Sequence, residues 1–97
     1  MENTEKRMYE DALNAYITAR GILADVAVVY ESERHLARKA LYDMKEAGTR
    51  KMTEEQIRSE AIVNCKDIYE EYTQAVAACD IARERLEFVK AIINNNN

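Results

Sequence analysis

The segment from Ala47 to Gln56 constrains the fold most, because it holds the one clear helix stop and helix restart in this chain of 97 residues. Gly48 suits the left-handed backbone conformation just past a helix C-terminus, where a Cβ is costly. Thr53 and Gln56 have the spacing of a capping box, in which each side chain bonds the backbone amide of the other residue. We therefore predict two long helices joined by a short turn.

Composition agrees with long amphipathic helices, since there is no Pro, only two Gly, 47% apolar residues and 33% charged residues. A chain this short forms one domain and has little room for a private core in two helices, so a partner is expected. The predicted fold is all-α, with two long helices in an antiparallel coiled-coil hairpin that assembles into an oligomeric bundle. The predicted bounds are about residues 5–47 for the first helix, 48–53 for the turn, 54–93 for the second helix and 94–97 for a frayed Asn tail.

Both helices repeat apolar residues at alternating steps of three and four, which is the spacing of a coiled-coil seam. In the first helix Glu33 is the one exception. The predicted seam there is Tyr9, Ala12, Tyr16, Ala19, Leu23, Val26, Tyr30, Glu33, Ala37, Ala40, Met44 and Ala47. In the second helix it is Ala61, Cys65, Ile68, Tyr72, Ala75, Cys79, Ala82, Leu86, Val89 and Ile93.

Two antiparallel registers of these seams are compatible with the turn. One faces Tyr30 with Ala75 and pairs large with small side chains nearly throughout, whereas a shifted one faces Tyr30 with Tyr72. We favour the first on complementarity of size. In that register Glu33 faces Tyr72, and either accepts a hydrogen bond from the phenol or bends outward to solvent.

Apolar residues also lie beside the seams. A line one residue before the first seam widens the apolar stripe of the first helix beyond what a two-helix contact requires. Toward the end of the second helix the apolar surface spreads in the same way. We predict self-association through Ile22, Val29, Leu36, Ile81, Phe88 and Ile92.

The sequence predicts no enzyme, no metal site and no bound cofactor. The lone His35 sits among basic residues and is expected to be solvated. Cys65 and Cys79 lie on the seam without a third ligand nearby, so we interpret them as small core residues. Neither glycine belongs to a phosphate-binding loop, because Gly21 is isolated in a helix and Gly48 is a cap.

Charge is unevenly distributed along a chain whose formal net charge is -4. Residues 34–58 hold seven basic and four acidic side chains, so the turn end is basic. Tyr42 lies within this segment and off the seam, where it either stacks on a base or has no specific role. The alternative to nucleic-acid binding is ordinary surface charge. The residues predicted to contact nucleic acid or a partner are Arg38, Lys39, Lys45, Arg50 and Lys51.

No run approaches the roughly 18 uncharged apolar residues of a membrane span. The N-terminus carries mixed charges rather than a signal-peptide pattern. These features predict a cytoplasmic protein without a membrane partner.

The string from Lys45 to Glu54, KEAGTRKMTE, resembles the centre of small helical-hairpin proteins that tailed phages encode near their replication and recombination genes. The run from Arg83 to Ala91 is similar to the endings of their second helices. Some such proteins are likened to recombination mediators, which oligomerise and help load a recombinase on single-stranded DNA. The resemblance implies a non-enzymatic oligomeric accessory factor in phage recombination or replication, acting in the host cytoplasm on single-stranded DNA or a recombinase.

Two other functions fit the same pattern. One is a small acidic phage protein that binds and inhibits a host defence protein, with acidic residues facing a basic groove. The other is a structural coiled-coil module in a larger assembly. The acidic face of the first alternative would consist of Glu70, Glu71, Asp80, Glu84 and Glu87.

Overall fold

In the computed structural model, residues 3–96 are described, together with the side chains of all of these except Asn96. They form three helices, α1 (Asn3–Glu46), α2 (Glu54–Asn64) and α3 (Lys66–Asn96). Residues 3–96 contain no strand, so the all-α prediction is confirmed. A frayed tail was expected over residues 94–97. Residues 94–96 are instead the last residues of α3, and Asn97 lies outside the described residues.

The C-terminus of α1 is closed by a Schellman motif centred on Gly48. This glycine has a φ of 75°, and its N–H donates to the carbonyl of Lys45 at 3.1 Å. The N–H of Thr49 donates to the carbonyl of Met44 at 3.0 Å. These two bonds satisfy carbonyls that have no partner within the helix. The predicted stop is therefore present, with α1 ending at Glu46.

The start of α2 has the predicted capping box. The N–H of Gln56 donates to Thr53 Oγ1 at 3.1 Å, and the N–H of Thr53 donates to Gln56 Oε1 at 2.9 Å. Glu54 and Glu55 occupy the first turn, where the helix dipole favours negative charge.

The heptad pattern predicted one continuous helix in the second half of the chain. The structure instead has two helices there, α2 and α3. Cys65 separates α2 from α3 with φ −118° and ψ 37°. Its backbone N–H is shared between the carbonyls of Ala61 and Ile62 at 3.2 Å, and its thiol donates to the Ala61 carbonyl at 3.1 Å. A side chain that competes for a helix carbonyl in this way interrupts the regular ladder.

The chain divides into two compact units. We call Asp25–Thr73 the turn unit, because it contains the connection between α1 and α2. The terminal unit combines the chain up to Ala24 with the chain from Gln74 onward. Helix α1 contributes to both.

In the terminal unit, α1 and α3 pack antiparallel around a core of Ala12, Leu86, Val89 and Ile93. Half-buried aromatic and aliphatic side chains of α1 cover this core. The α3 seam is confirmed here, because its predicted residues are all buried: Ala75, Cys79, Ala82, Leu86, Val89 and Ile93.

In the turn unit the favoured register is wrong. The ring of Tyr30 stacks on Tyr72, with centroids 4.7 Å apart and planes inclined by 16°, and makes a tilted contact with Tyr69. Glu33 is exposed and makes no hydrogen bond to Tyr72 in the described structure. Aromatic stacking contributes about 0.5–1.5 kcal/mol beyond area burial. The register was chosen by pairing large with small side chains, and that criterion does not include the stacking energy.

The seam of α1 also departs from strict heptad spacing after Tyr30. The next positions turned inward are Arg34, whose guanidinium lies 5.8 Å from the Tyr30 ring centroid, Ala37 and Leu41. A straight α-helix drifts by roughly 20° per heptad, and a spacing near 3.67 residues per turn follows its face more closely. Leu41 therefore reaches the core of the turn unit, whereas three predicted seam residues are exposed: Ala40, Met44 and Ala47.

Paired truncations distinguish the two seams. Leu41 is 2% exposed and belongs to the cluster with Met52, Ile57 and Ala61, whereas Met44 is 42% exposed. We expect Leu41→Ala to lower the free energy of unfolding by about 2–5 kcal/mol, and Met44→Ala to change it by about 0.5 kcal/mol or less. Urea unfolding followed by circular dichroism, at one protein concentration, measures both. A larger loss of unfolding free energy for Met44→Ala than for Leu41→Ala would support the strict heptad seam instead.

The two glycines form a second matched pair. Apart from the glycine itself, its two chain neighbours and the adjoining helix backbone, no atom lies within 4 Å of a Cβ built on either Gly21 or Gly48, so alanine fits both sites and only the backbone conformation differs. Gly48→Ala should cost about 1–2 kcal/mol, because its φ is positive, whereas Gly21→Ala in mid-helix should stabilise by about 0.5–1 kcal/mol. Thermal unfolding of both variants gives the sign directly. Equal signs would contradict the Schellman motif.

Candidate functional site

The basic residues predicted as contacts all lie in the turn unit. Arg38 is half-buried on α1. The other four side chains are exposed near the end of α1 and in the loop before α2: Lys39, Lys45, Arg50 and Lys51.

Arg50 is already paired within the chain. Its Nη1 donates to Glu60 Oε1 at 2.7 Å, and this hydrogen bond is the main reason that the pKa of Arg50 is raised. The contact joins the loop to the middle of α2. Local sequence patterns did not reveal it, because the two residues meet only across the loop. A phosphate would have to compete with Glu60 for this guanidinium.

Three lysines remain available. Lys39, Lys45 and Lys51 are exposed, and none forms an ion pair within residues 3–96. Lysine ammonium groups bind phosphate as point charges without demanding a fixed geometry. An exposed set of this kind is suited to sequence-independent contact with a nucleic-acid backbone.

Tyr42 is a packing residue rather than an exposed ring. It is half-buried against the core cluster of the turn unit, and its hydroxyl donates to the carboxylate of Glu54. The interpretation of Tyr42 as a base-stacking platform is therefore not supported by its position.

A groove of about 660 Å³ runs beside the loop and α2. Arg50 and Lys51 line it together with Glu55 and Glu60, so the groove carries both positive and negative groups. This mixture does not form a uniformly basic cradle for phosphate. The lysines outside the groove, Lys39 and Lys45, extend the basic character along α1 instead.

The acidic residues of the alternative function are partly neutralised. Glu70, Asp80 and Glu87 each form an exposed ion pair with a cation three or four residues away. Such pairs contribute little to stability but reduce the charge offered to a partner. Glu71 and Glu84 are exposed and form no ion pair in the described chain.

A smaller groove of about 500 Å³ lies where α2 gives way to α3. Cys65 is buried there, and burial raises the pKa of its thiol, with the nearby Glu33 carboxylate acting in the same direction. A raised pKa keeps the thiol protonated and unreactive near neutral pH. Within residues 3–96, no three His, Cys, Asp or Glu side chains converge as a metal site.

The residues predicted for self-association are at the surface. Ile22, Val29 and Leu36 are exposed on α1, and Ile81 and Phe88 are exposed on α3. Ile92 is half-buried.

Helix α1 is long and apolar enough to cross a membrane by length and composition. It contains an 18-residue window with a mean hydropathy of 1.4, of which 6% is buried. Core helices of soluble proteins and signal sequences meet the same criterion, so this observation alone is weak. It does show that much apolar surface on α1 is uncovered.

Comparison of the chain with known protein families, with curated proteins and with solved structures finds no match.

Proposed function

We propose that this protein is a non-enzymatic, self-associating accessory factor in phage DNA recombination or replication, working in the host cytoplasm. Its exposed lysines contact single-stranded DNA or a recombinase. The observation that carries the contact is a set of three exposed lysines of the turn unit that form no ion pair within residues 3–96: Lys39, Lys45 and Lys51. The phage setting rests on the resemblance of the turn sequence.

Self-association is the second part of this proposal. One turn offers few phosphate contacts, and each contact is screened by salt. An oligomer presents several turns to the same strand, so that the second contact is made at a high effective concentration. The exposed apolar residues of α1 and α3 support such an assembly.

A second candidate, inhibition of a host defence protein, is favoured by a different observation. Glu71 and Glu84 are exposed and form no ion pair with any described residue, and the chain is acidic overall. A basic groove on a partner would complement them.

Charge reversal at the turn tests the leading proposal. Lys45→Glu with Lys51→Glu should weaken binding to a fluorescent single-stranded oligonucleotide at least tenfold at low salt, because two phosphate contacts are lost. The matched control is Lys66→Glu with Lys90→Glu, which changes net charge equally at lysines that already pair with Glu70 and Glu87. Fluorescence anisotropy measures both. Equal losses in the two double variants would indicate a non-specific charge effect.

The Arg50–Glu60 ion pair makes a separate prediction. Because Glu60 holds the guanidinium at 2.7 Å, Arg50→Gln should reduce oligonucleotide affinity less than Lys51→Gln does. Glu60→Gln frees Arg50 and should increase the affinity. The same anisotropy assay applies, with Glu71→Gln as a control that removes an unpaired carboxylate of the same unit. If Glu60→Gln and Glu71→Gln behave alike, then Arg50 is not restrained by Glu60.

A further inference from the structure

We propose that Tyr42 is a positioning residue of the lysine contact. The hydrogen bond from its hydroxyl to Glu54 holds the lysines of α1 and the lysine of the loop in a fixed arrangement before an anionic partner binds. This inference rests on the proposed function and names the contact that organises its site. Tyr42 acts through Glu54 and touches neither phosphate nor base.

This hydrogen bond spans the reversal of the chain. Tyr42 lies four residues before the end of α1, and Glu54 is the first residue of α2. The hydroxyl of Tyr42 donates to the carboxylate of Glu54 across twelve residues of sequence. The Tyr42 ring is half-buried against the core cluster of the turn unit, so packing of the ring fixes the direction of the hydroxyl.

The three lysines lie on the two segments that this bond connects. Lys39 and Lys45 stand three residues before and three residues after Tyr42. Side chains at this spacing are neighbours on a helix, with Cβ atoms about 5–6 Å apart. Lys51 stands three residues before Glu54, in the loop. The bond therefore limits how far the loop lysine can move from the lysines of α1.

The other polar contacts of the turn do not make this connection. The bonds around Gly48 stay within the end of α1, and the capping box stays within the start of α2. The ion pair of Arg50 and Glu60 joins the loop to α2 alone. Among the hydrogen bonds of the turn unit within residues 3–96, the bond between Tyr42 and Glu54 is the one that links α1 to α2.

Apolar packing also joins these two helices, since Leu41 of α1 belongs to one cluster with Ile57 and Ala61 of α2. Burial of apolar surface is non-directional, so it does not by itself fix the position of the loop. A hydrogen bond requires its donor and acceptor to meet within a narrow range of distance and angle. The bond between Tyr42 and Glu54 therefore adds the directional constraint that the cluster lacks.

A fixed arrangement of the lysines favours binding. Three lysines supply few phosphate contacts, and each contact is screened by salt. The affinity therefore depends on how much ordering those contacts still require when the partner binds. A loop that the hydroxyl of Tyr42 already holds loses less conformational freedom on binding than a free loop does. The affinity rises without any additional charge.

Tyr42→Phe tests the positioning without changing the charge. The variant keeps the ring and removes the hydroxyl. It should lower the affinity for a fluorescent single-stranded oligonucleotide about three- to tenfold, because one more flexible element must be ordered on binding. The slope of log affinity against log salt concentration should stay the same, because the number of phosphate contacts is unchanged. A role of Tyr42 in base stacking predicts no loss, since the phenylalanine ring also stacks on bases.

Tyr69→Phe is the matched control. Tyr69 is a half-buried tyrosine of the same unit, and its hydroxyl forms no hydrogen bond within residues 3–96. The substitution keeps the ring that contacts Tyr30 and leaves the charge unchanged. This variant should bind the oligonucleotide as tightly as the wild-type protein does. Fluorescence anisotropy over one series of salt concentrations measures both variants.

A double-mutant cycle tests whether Tyr42 acts through Glu54. In a Glu54→Ala background the hydroxyl has no acceptor, so Tyr42→Phe should cause no further change in affinity. The change of charge at Glu54 is common to both members of this comparison and cancels. An equal loss of affinity in the wild-type and Glu54→Ala backgrounds would show that Tyr42 acts on another group, and would overturn the proposal.

Amide hydrogen exchange measures the loop without an anionic partner. The amides of Gln56 and Ile57 both donate to Thr53, beside Glu54 at the start of α2. Their exchange reports local opening of this end of the loop. Exchange at both amides should be faster in Tyr42→Phe than in the wild-type protein and in Tyr69→Phe.

The outcomes separate the positioning from the lysine contact. If the wild-type protein does not bind the oligonucleotide at low salt, the DNA contact of the proposed function is overturned together with its positioning. If the wild-type protein binds and both tyrosine variants bind equally well, the positioning is wrong and the lysine contact stands. Faster exchange in Tyr42→Phe without a loss of affinity would show that the bond only stabilises the loop, and this result also overturns the proposal.

Discussion

The connection between α1 and α2 is the constraint on which the turn unit depends. The Schellman motif at Gly48 ends one helix and the capping box of Thr53 and Gln56 starts the next, so the chain reverses within a few residues. Because both ends are hydrogen-bonded, the loop has little freedom to slide. Met52, within this loop, packs with Leu41, Ile57 and Ala61, and the hydrophobic cluster therefore begins at the point of reversal.

Away from the turn, packing selects the register. Tyr30 stacks on Tyr72, and Arg34 lies over the Tyr30 ring instead of Glu33 facing the partner helix. The interruption between α2 and α3 at Cys65 lies seven residues before Tyr72 in the sequence. At Cys65 the thiol and the backbone N–H both donate to the Ala61 carbonyl. These contacts involve long-range partners or a local competition for one carbonyl, and neither is part of a heptad pattern.

In the proposed function, charged side chains and apolar side chains have different roles. Exposed lysines of the turn unit offer contact with phosphate, while Arg50 is held by Glu60. Large apolar side chains of the terminal unit remain exposed. In the proposed function, the lysines of the turn unit contact an anionic partner and the exposed apolar side chains of the terminal unit serve self-association.

Local signals in the sequence determined the all-α class, the helix stop at Gly48, the restart at Thr53 and most of the α3 seam. They act over a few residues, through backbone conformation, capping bonds and periodicity. Only the tertiary structure decided that Tyr30 faces Tyr72, that Leu41 replaces Ala40 in the core and that Arg50 is paired. Those outcomes depend on the drift of a straight helix from the heptad repeat and on residues that meet only after the chain reverses.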